Sequence, residues 1–554
     1  MRRRKGVSVF KFFFDLCFDF FFDLFCKKRY DTGIVKMKIL PVPKCTDERL
    51  AIKESDMKKQ FIWIMSDSTR YDMIGCYGNP IIHTPCLDAL AGEGLRFDRA
   101  YTTQPVCGPA RSALFTGQFP HSNQSWGNCM PLGADVLTLG QRLHEKGIPC
   151  AYIGKWHLDG GDYFGNGVCP PGWDENYWFD MKNYLDELTP EERVFSRKPE
   201  SNFIPGGIKS EFTFAHRCTD RALRFMETHK DEDFFLVLSF DEPHDPGLCP
   251  EPYCSMYLDK KWEKNPAHYD VLKDKPLYQQ LWGAGGMQAD RDALEPMNAR
   301  LLGCNSYVDS QAGRVIDRAH ELLPDATLMY TSDHGDGMEE HCLWAKGPTA
   351  YDGIARVPLI MAGPHVAKNK VYEGVVSHID LPATVLDYMG VSVPRCFEGE
   401  SLLPLMADPD HTPHRDEAFV EFARYEIDHD GFGGFQPMRA IVTNRYKLQI
   451  NLLDEDELYD LEQDPHELEN CILHPEYAAV RNRLHDRLIE WMNETRDPFR
   501  GYQWQCRPWR EDKKPSWAVD GMTRQRKQEE GGYRQLDYMT GLPMRSETRV
   551  KGES

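Results

Sequence analysis

The chain has 554 residues, a formal charge of −20, and 41% apolar against 27% charged residues. That length supports more than one folded unit, and the balance is ordinary for a soluble globular protein. The acidic total excludes a general nucleic-acid binder, which needs a basic surface to neutralise phosphates; a small anionic substrate would instead need a few Arg and Lys residues gathered in a local pocket.

In chain order, Arg2, Arg3, Arg4 and Lys5 precede a Phe-rich stretch from Phe10 to Phe25, which has the outline of an export signal. Asp15, Asp19 and Asp23 fall four residues apart, on one helical face, and each is costly at the centre of a membrane. The stretch therefore reads as an amphipathic surface helix or, preferably, as an upstream extension, residues 1–56, outside the fold. No stable membrane span is expected. Met57, Lys58, Lys59 and Gln60 lead into the first globular strand. Seventeen cysteines lack the dense spacing of a disulfide framework, and an odd total cannot pair within one chain. The pairs Cys17 with Cys26 and Cys249 with Cys254 read as free thiols, and the chain as cytoplasmic.

The run Phe61-Ile62-Trp63-Ile64-Met65 predicts a buried parallel strand, ending at Asp67. A short strand over Ala151–Ile153 leads into Gly154-Lys155-Trp156-His157. Asp233 to Phe240 runs into Asp241-Glu242-Pro243-His244, and Thr327 to Thr331 into Ser332-Asp333-His334-Gly335. Leu87, Leu90 and Ala91, then Glu211 to Thr228, then Asn298 to Leu323 carry helical spacing. Alternation of this kind predicts an α/β fold, a mostly parallel sheet sandwiched by helices, over residues 57–400. Ligands of such sheets bind beyond the carboxyl ends of the strands, where four polar clusters would meet.

Past residue 400 the pattern changes. Phe419 to Ile427, Arg439 to Val442 and Tyr446 to Leu452 predict antiparallel strands, and Tyr477 to Glu494 a helix. Residues 401–512 read as a smaller C-terminal α+β domain, and 513–554 as a polar tail.

The stretch Cys107-Gly108-Pro109-Ala110-Arg111, continued by Leu114-Phe115-Thr116-Gly117, is the most informative. Alone it reads as a buried thiol before a helix opened by Pro109. It resembles the C-x-P-x-R signature of type I, formylglycine-dependent sulfatases of the alkaline-phosphatase superfamily. The resemblance runs from about residue 60 to 500 through Asp67, Cys76-Tyr77-Gly78, Gly154 to His157, Pro243-His244-Asp245-Pro246, Asp333-His334-Gly335, Lys346-Gly347 and Arg356-Val357-Pro358. Segments Asp159–Pro171 and Glu421–Phe435 look close to an uncharacterised bacterial subgroup often classed as cytoplasmic. An alkaline-phosphatase-like fold follows from this as an expectation.

The resemblance implies a sulfuric ester hydrolase acting on a sugar or aryl sulfate monoester. Cys107 would be oxidised to formylglycine by a formylglycine-generating maturation enzyme, giving a nucleophile that splits one hard step into two. One divalent metal, Ca²⁺ first and Mg²⁺ or Mn²⁺ as alternatives, would be held by Asp67, Ser68, Cys107, Asp333 and His334. Arg111 would orient the nucleophile, Lys155 and Lys346 hold sulfate oxygens, His157 assist the nucleophilic hydroxyl and His244 protonate the leaving oxygen. A helix starting near Pro109 would aim its first N–H groups at the anion. His341 and Arg70 are weaker candidates, as support.

Ser68 departs from the family, which usually has a second acid there. The substitution lowers negative charge at the metal, so a phosphonate or phosphate ester hydrolase stands as an alternative. A non-catalytic carbohydrate-binding relative, its Cys107 unmodified, is the third reading. The partners expected are a small anionic ester, a sulfated sugar foremost, and the maturation enzyme.

Overall fold

The structure is a computed structural model that describes residues 57–513 except 161–162, 199–200, 202–206, 261–263, 285–295 and 425–433, together with 539–540. The Phe-rich stretch, Cys17, Cys26 and most of the C-terminal tail lie outside the described residues. The described residues from Lys58 form one unit by their contacts.

Seven strands make the central sheet: β1 (Gln60–Asp67), β2 (Leu95–Tyr101), β3 (Cys150–Gly154), β4 (Phe234–Pro243), β5 (Thr327–Ser332), β6 (Arg356–Ala362) and β7 (Lys370–Ser377), in the order β3-β4-β1-β5-β6-β2-β7. β1 pairs parallel with β4 and β5, and β3 with β4; β6 runs antiparallel to both its neighbours, and β2 pairs parallel with β7. The sheet is thus mostly parallel, as expected.

Alternation along β1 supplies both faces. Ile62 and Ile64 enter one apolar core with Leu236, Leu238 and Tyr330, whereas Phe61, Trp63 and Met65 enter the other with Phe235, Val237 and Met329. Helices α1 (Pro85–Glu93), α3 (Phe214–His229) and α4 (Pro296–Leu322) contribute Leu87, Phe225 and Val308 to the first core; α2 (Cys107–Thr116) and α5 (Asp380–Tyr388) contribute Leu114 and Leu386 to the second. Helices on both faces bury β1, β3, β4 and β5 along their whole length.

The C-terminal part is an antiparallel sheet in the order β11-β10-β9-β8, from β8 (Glu417–Arg424), β9 (Phe435–Thr443), β10 (Tyr446–Asn451) and β11 (Glu457–Asp460). Helix α6 (Ala478–Glu494) packs Leu484, Leu488 and Trp491 against Phe419, Ile441 and Leu448. The strand expected over Phe419–Ile427 is described as far as Arg424.

His485 on α6 is fully buried; its Nε2 lies 2.6 Å from the Trp504 carbonyl and its Nδ1 3.0 Å from Arg510. Donation to the carbonyl and acceptance from the guanidinium define a neutral ring, and burial holds its pKa down to about 4. An unfolded-chain histidine titrates near ~6.5, so on acidification the unfolded state takes up the proton first. This contribution is complete above about pH 6.5 and is lost as the pH falls toward the folded value, on the order of 3 kcal/mol in all. Urea unfolding on either side of that window should show a larger loss for the native chain than for His485→Gln. Equal losses would refute the assignment.

Among the described residues no helix is long and apolar enough to cross a membrane, and the described cysteines form no disulfide.

Candidate active site

The polar clusters converge at the carboxyl edge of the sheet. β1 ends on Asp67, β5 is followed by Asp333 and His334, and all three are fully buried with Cys107 at the first position of α2. Ligand atoms of Asp67, Cys107, Asp333 and His334 lie within 4.8 Å of one another. Cys107 Sγ is 3.2 Å from His334 Nε2 and 3.6 Å from Asp67 Oδ1. His334 Nδ1 is 2.7 Å from the Gly335 carbonyl, which takes its proton and leaves Nε2 facing the cluster.

Arg111, one helical turn on from Cys107, sits beneath the acids. Its Nε donates to Asp333 Oδ2 at 2.9 Å and an Nη to Asp67 Oδ2 at 3.2 Å, while the other Nη reaches the Lys155 carbonyl at 2.6 Å and Ser239 Oγ at 2.8 Å. The planar fork spans both carboxylates as a lysine could not. Lys155 follows Gly154, where a Cβ would fall 1.8 Å from the Ser239 carbonyl, so only glycine lets β3 deliver the lysine here. Its Nζ lies 2.7 Å from Asp67, 3.1 Å from Asp241 and 3.9 Å from Cys107 Sγ.

Lys346 donates to His244 Nε2 at 2.7 Å, and His244 Nδ1 stands 3.1 Å from the Tyr163 hydroxyl. Tyr163 in turn donates to Asp241 at 2.5 Å. His157 is buried, and burial holds its pKa below the ordinary value against the influence of Cys107. It has φ 57°, and Ser68 has φ 67°; side chains rarely adopt this left-handed backbone, and it marks both loops as held under strain.

Electrostatics follow from burial and from the cations gathered around the acids. Burial alone would raise the Asp67 carboxyl, but Lys155, His244, Lys346 and His334 hold it well below its usual range. Burial and the Asp67 charge instead push Asp333 up to about 6. Burial would depress His334, yet Asp333 and Cys107 raise it to about 9. Burial and Asp67 oppose ionisation of Cys107, and Lys155, Lys346 and His334 reverse them, leaving the thiol well below its ordinary value. Two carboxylates in conflict beside an oriented imidazole fit a divalent cation, which relieves their repulsion.

The sequence-predicted residues are brought together with three differences. Ser68 Oγ donates to Asp67 Oδ1 at 3.0 Å and its backbone N–H to Asp333 Oδ1 at 3.3 Å, so it orients both acids in this arrangement. Helix α2 begins at Cys107 and not near Pro109. The Gly108 N–H goes to Asn128, Pro109 has none, and that of Ala110 closes the first turn on Val106. These N–H groups are therefore spent, and what remains for an anion is the dipole of the helix end. Arg70 and His341 brace the 336–346 segment, Arg70 by pairing with Asp72 and Glu340 and by donating to the Asp336 and Gly337 carbonyls, His341 by pairing with Asp270 and stacking on Tyr351. Sequence reading passed over Asp241 and Tyr163 as site residues. Asp241 could have been found, since it stands two positions before the Pro243-His244 motif; Tyr163 carried no signal.

Sheet order and site together define a hydrolase of the alkaline phosphatase superfamily. The chain belongs to the sulfatase family: residues 59–391 match the family described as Sulfatase, and residues 339–494 match N-sulphoglucosamine sulphohydrolase, C-terminal. It is 41% identical over 494 residues to the uncharacterised sulfatase YidJ of Escherichia coli (strain K12), covering 88% of this chain and 97% of the relative. It is 25% identical over 542 residues to an N-acetylglucosamine-6-O-sulfatase of Bacteroides thetaiotaomicron, covering 85% and 92%. The fold matches the crystal structure of a phosphonate monoester hydrolase of Agrobacterium radiobacter with a TM-score of 0.67 at 22% identity, covering 79% of this chain and 96% of that one.

Proposed function

We propose that this sulfatase hydrolyses a sulfate monoester of a sugar through a formylglycine made from Cys107, with one divalent metal, Ca²⁺ foremost, held by Asp67, Asp333 and His334. The observation that carries the reading is the convergence of those three donors on Cys107 within 4.8 Å in a fully buried site. Formylglycine, once hydrated, supplies a hydroxyl nucleophile, and the metal supplies positive charge for the ester oxygens.

The remaining work falls to side chains of this chain. Arg111 locks the two acids in place, and Ser68 fixes their rotation. Lys155 and Lys346 give the pocket the positive potential that the acidic total hides, and they bind the anionic head of the substrate. His157 takes a proton from the group at position 107 in this reading. Lys346 donates to His244 Nε2; an anion that draws Lys346 away frees this nitrogen to hold the proton passed to the leaving oxygen.

The sugar class is supported by likeness to the N-acetylglucosamine-6-O-sulfatase. Ser68 supports a second reading, a phosphonate or phosphate ester hydrolase, because it leaves the acids beside the metal fewer than in the family pattern. Cytoplasmic residence is part of the proposal and is supported by the odd cysteine total and the many buried thiols.

The test is mass spectrometry of the Cys107 peptide from chain co-expressed with a formylglycine-generating enzyme, paired with turnover of aryl sulfate, phosphate and phosphonate esters. Conversion of the thiol to an aldehyde with preference for sulfate is expected. An unmodified thiol in an active preparation would remove the nucleophile assignment, and preference for phosphorus would select the second reading.

A further inference from the structure

The segment between β11 and α6 carries a second cluster of metal-ligating side chains, on elements that contribute nothing to the Cys107 cluster. Ligand atoms of Glu469, Cys471 and His474 lie within 4.8 Å of one another, and Glu469 Oε1 is 3.8 Å from His474 Nδ1. In a tetrahedral zinc site with bonds of about 2.0–2.3 Å, neighbouring ligand atoms stand about 3.4–3.6 Å apart. Closing the gap takes side-chain rotation only, since Glu469 and His474 are 69% and 40% exposed at their side chains.

The backbone beneath is held firmly. Cys471 N–H donates to the Leu458 carbonyl on β11 at 2.8 Å, and Asn470 Oδ1 accepts from Leu458 and Ile472 at 3.1 and 3.2 Å. Asp464 accepts from the Glu469 N–H at 2.8 Å. A turn closed by the His474 N–H on the Cys471 carbonyl at 3.0 Å puts cysteine and histidine, three residues apart, on one side of the loop. Cys471 is only 5% exposed, so its sulfur forms the floor and the other two side chains the rim.

The chemistry of the set differs from that at Cys107. Thiolate, imidazole and one carboxylate suit a borderline-soft cation, and three protein ligands leave one position for water. Burial, with the charges of Glu469, Asp464, Asp460 and Glu476, pushes the Cys471 thiol up to about 11. The same acidic field attracts a dication, whose binding releases the thiol proton to solvent.

We propose that Glu469, Cys471 and His474 form a second metal site, selective for Zn²⁺ over Ca²⁺, that ties the edge strand β11 to the approach of α6. The experiment uses the full chain carrying Cys107→Ala, with Ca²⁺ in excess to occupy the oxygen-rich cluster, and Co²⁺ as the spectroscopic probe. A thiolate-to-cobalt charge-transfer band is expected, saturating with a single equivalent and displaced by Zn²⁺. It should vanish in Cys471→Ser and weaken about tenfold or more in affinity in His474→Gln, a substitution at an exposed side chain that leaves the thermal midpoint of the metal-free chain unchanged. Absence of the band in the Cys107→Ala chain, or its persistence at full affinity in either further variant, would overturn the proposal.

Discussion

Cys107→Ala lowers sulfate-ester turnover by at least about 10⁴-fold while the fold persists, because the nucleophile is lost and almost no packing goes with it. The side chain is fully buried at the start of α2, against Asp67 and His334. Alanine leaves a space of one sulfur atom and removes a thiolate that Lys155, Lys346 and His334 favour against the Asp67 charge. Both effects lower the unfolding free energy, by about 1–3 kcal/mol, and the chain still folds. Denaturant unfolding measures the second quantity, and steady-state rates of protein matured in parallel measure the first. Retention of parental turnover would refute the assignment of Cys107, and collapse of the fold would refute the packing argument.

Arg111→Met carries the largest expected effect on stability. The guanidinium is fully buried, and its fork donates to both Asp67 and Asp333 as well as to the Lys155 carbonyl and Ser239. Methionine fills much of the volume but takes the guanidinium from buried Asp333 and leaves Asp67 to Lys155. Breaking a buried pair of this kind costs about 3–5 kcal/mol, and the metal-free chain should show that full loss in denaturant. Arg111→Lys restores a charge without the fork and should recover stability only in part. A midpoint for Arg111→Met indistinguishable from the parent would show that the acids find other partners.

Much of the site was legible because short motifs at strand ends state their chemistry locally. Asp67, Lys155, His157, His244, Asp333 and His334 each follow an apolar run that announces a buried strand, and β1, β3, β4 and β5 could be read from those runs. β2, β6, β7 and β11 hid for physical reasons. β2 alternates as Leu95-Arg96-Phe97, but its register with both neighbours shifts after Phe97, and the alternation breaks there. β6 contains Pro358, which argues against a strand in isolation, and β7 begins on exposed, charged positions of an edge. β11 spans only Glu457–Asp460, too short for a period to show.

What the amino-acid order determined by itself was the chemistry: a cysteine before a proline and an arginine, acids and histidines closing buried strands, and lysines that offset an acidic total. Only the tertiary structure decided who meets whom. Lys155 is shared between Asp67 and Asp241, Lys346 is bound to His244, and Tyr163 reaches Asp241 across 78 residues and His244 across 81. No local pattern encodes those pairings, because they arise where loops from different strands fold over one edge of the sheet. Burial then set their charges, holding Asp67 ionised and pushing Asp333 up toward neutrality, a division between two aspartates that no reading of their neighbours in the chain could have made.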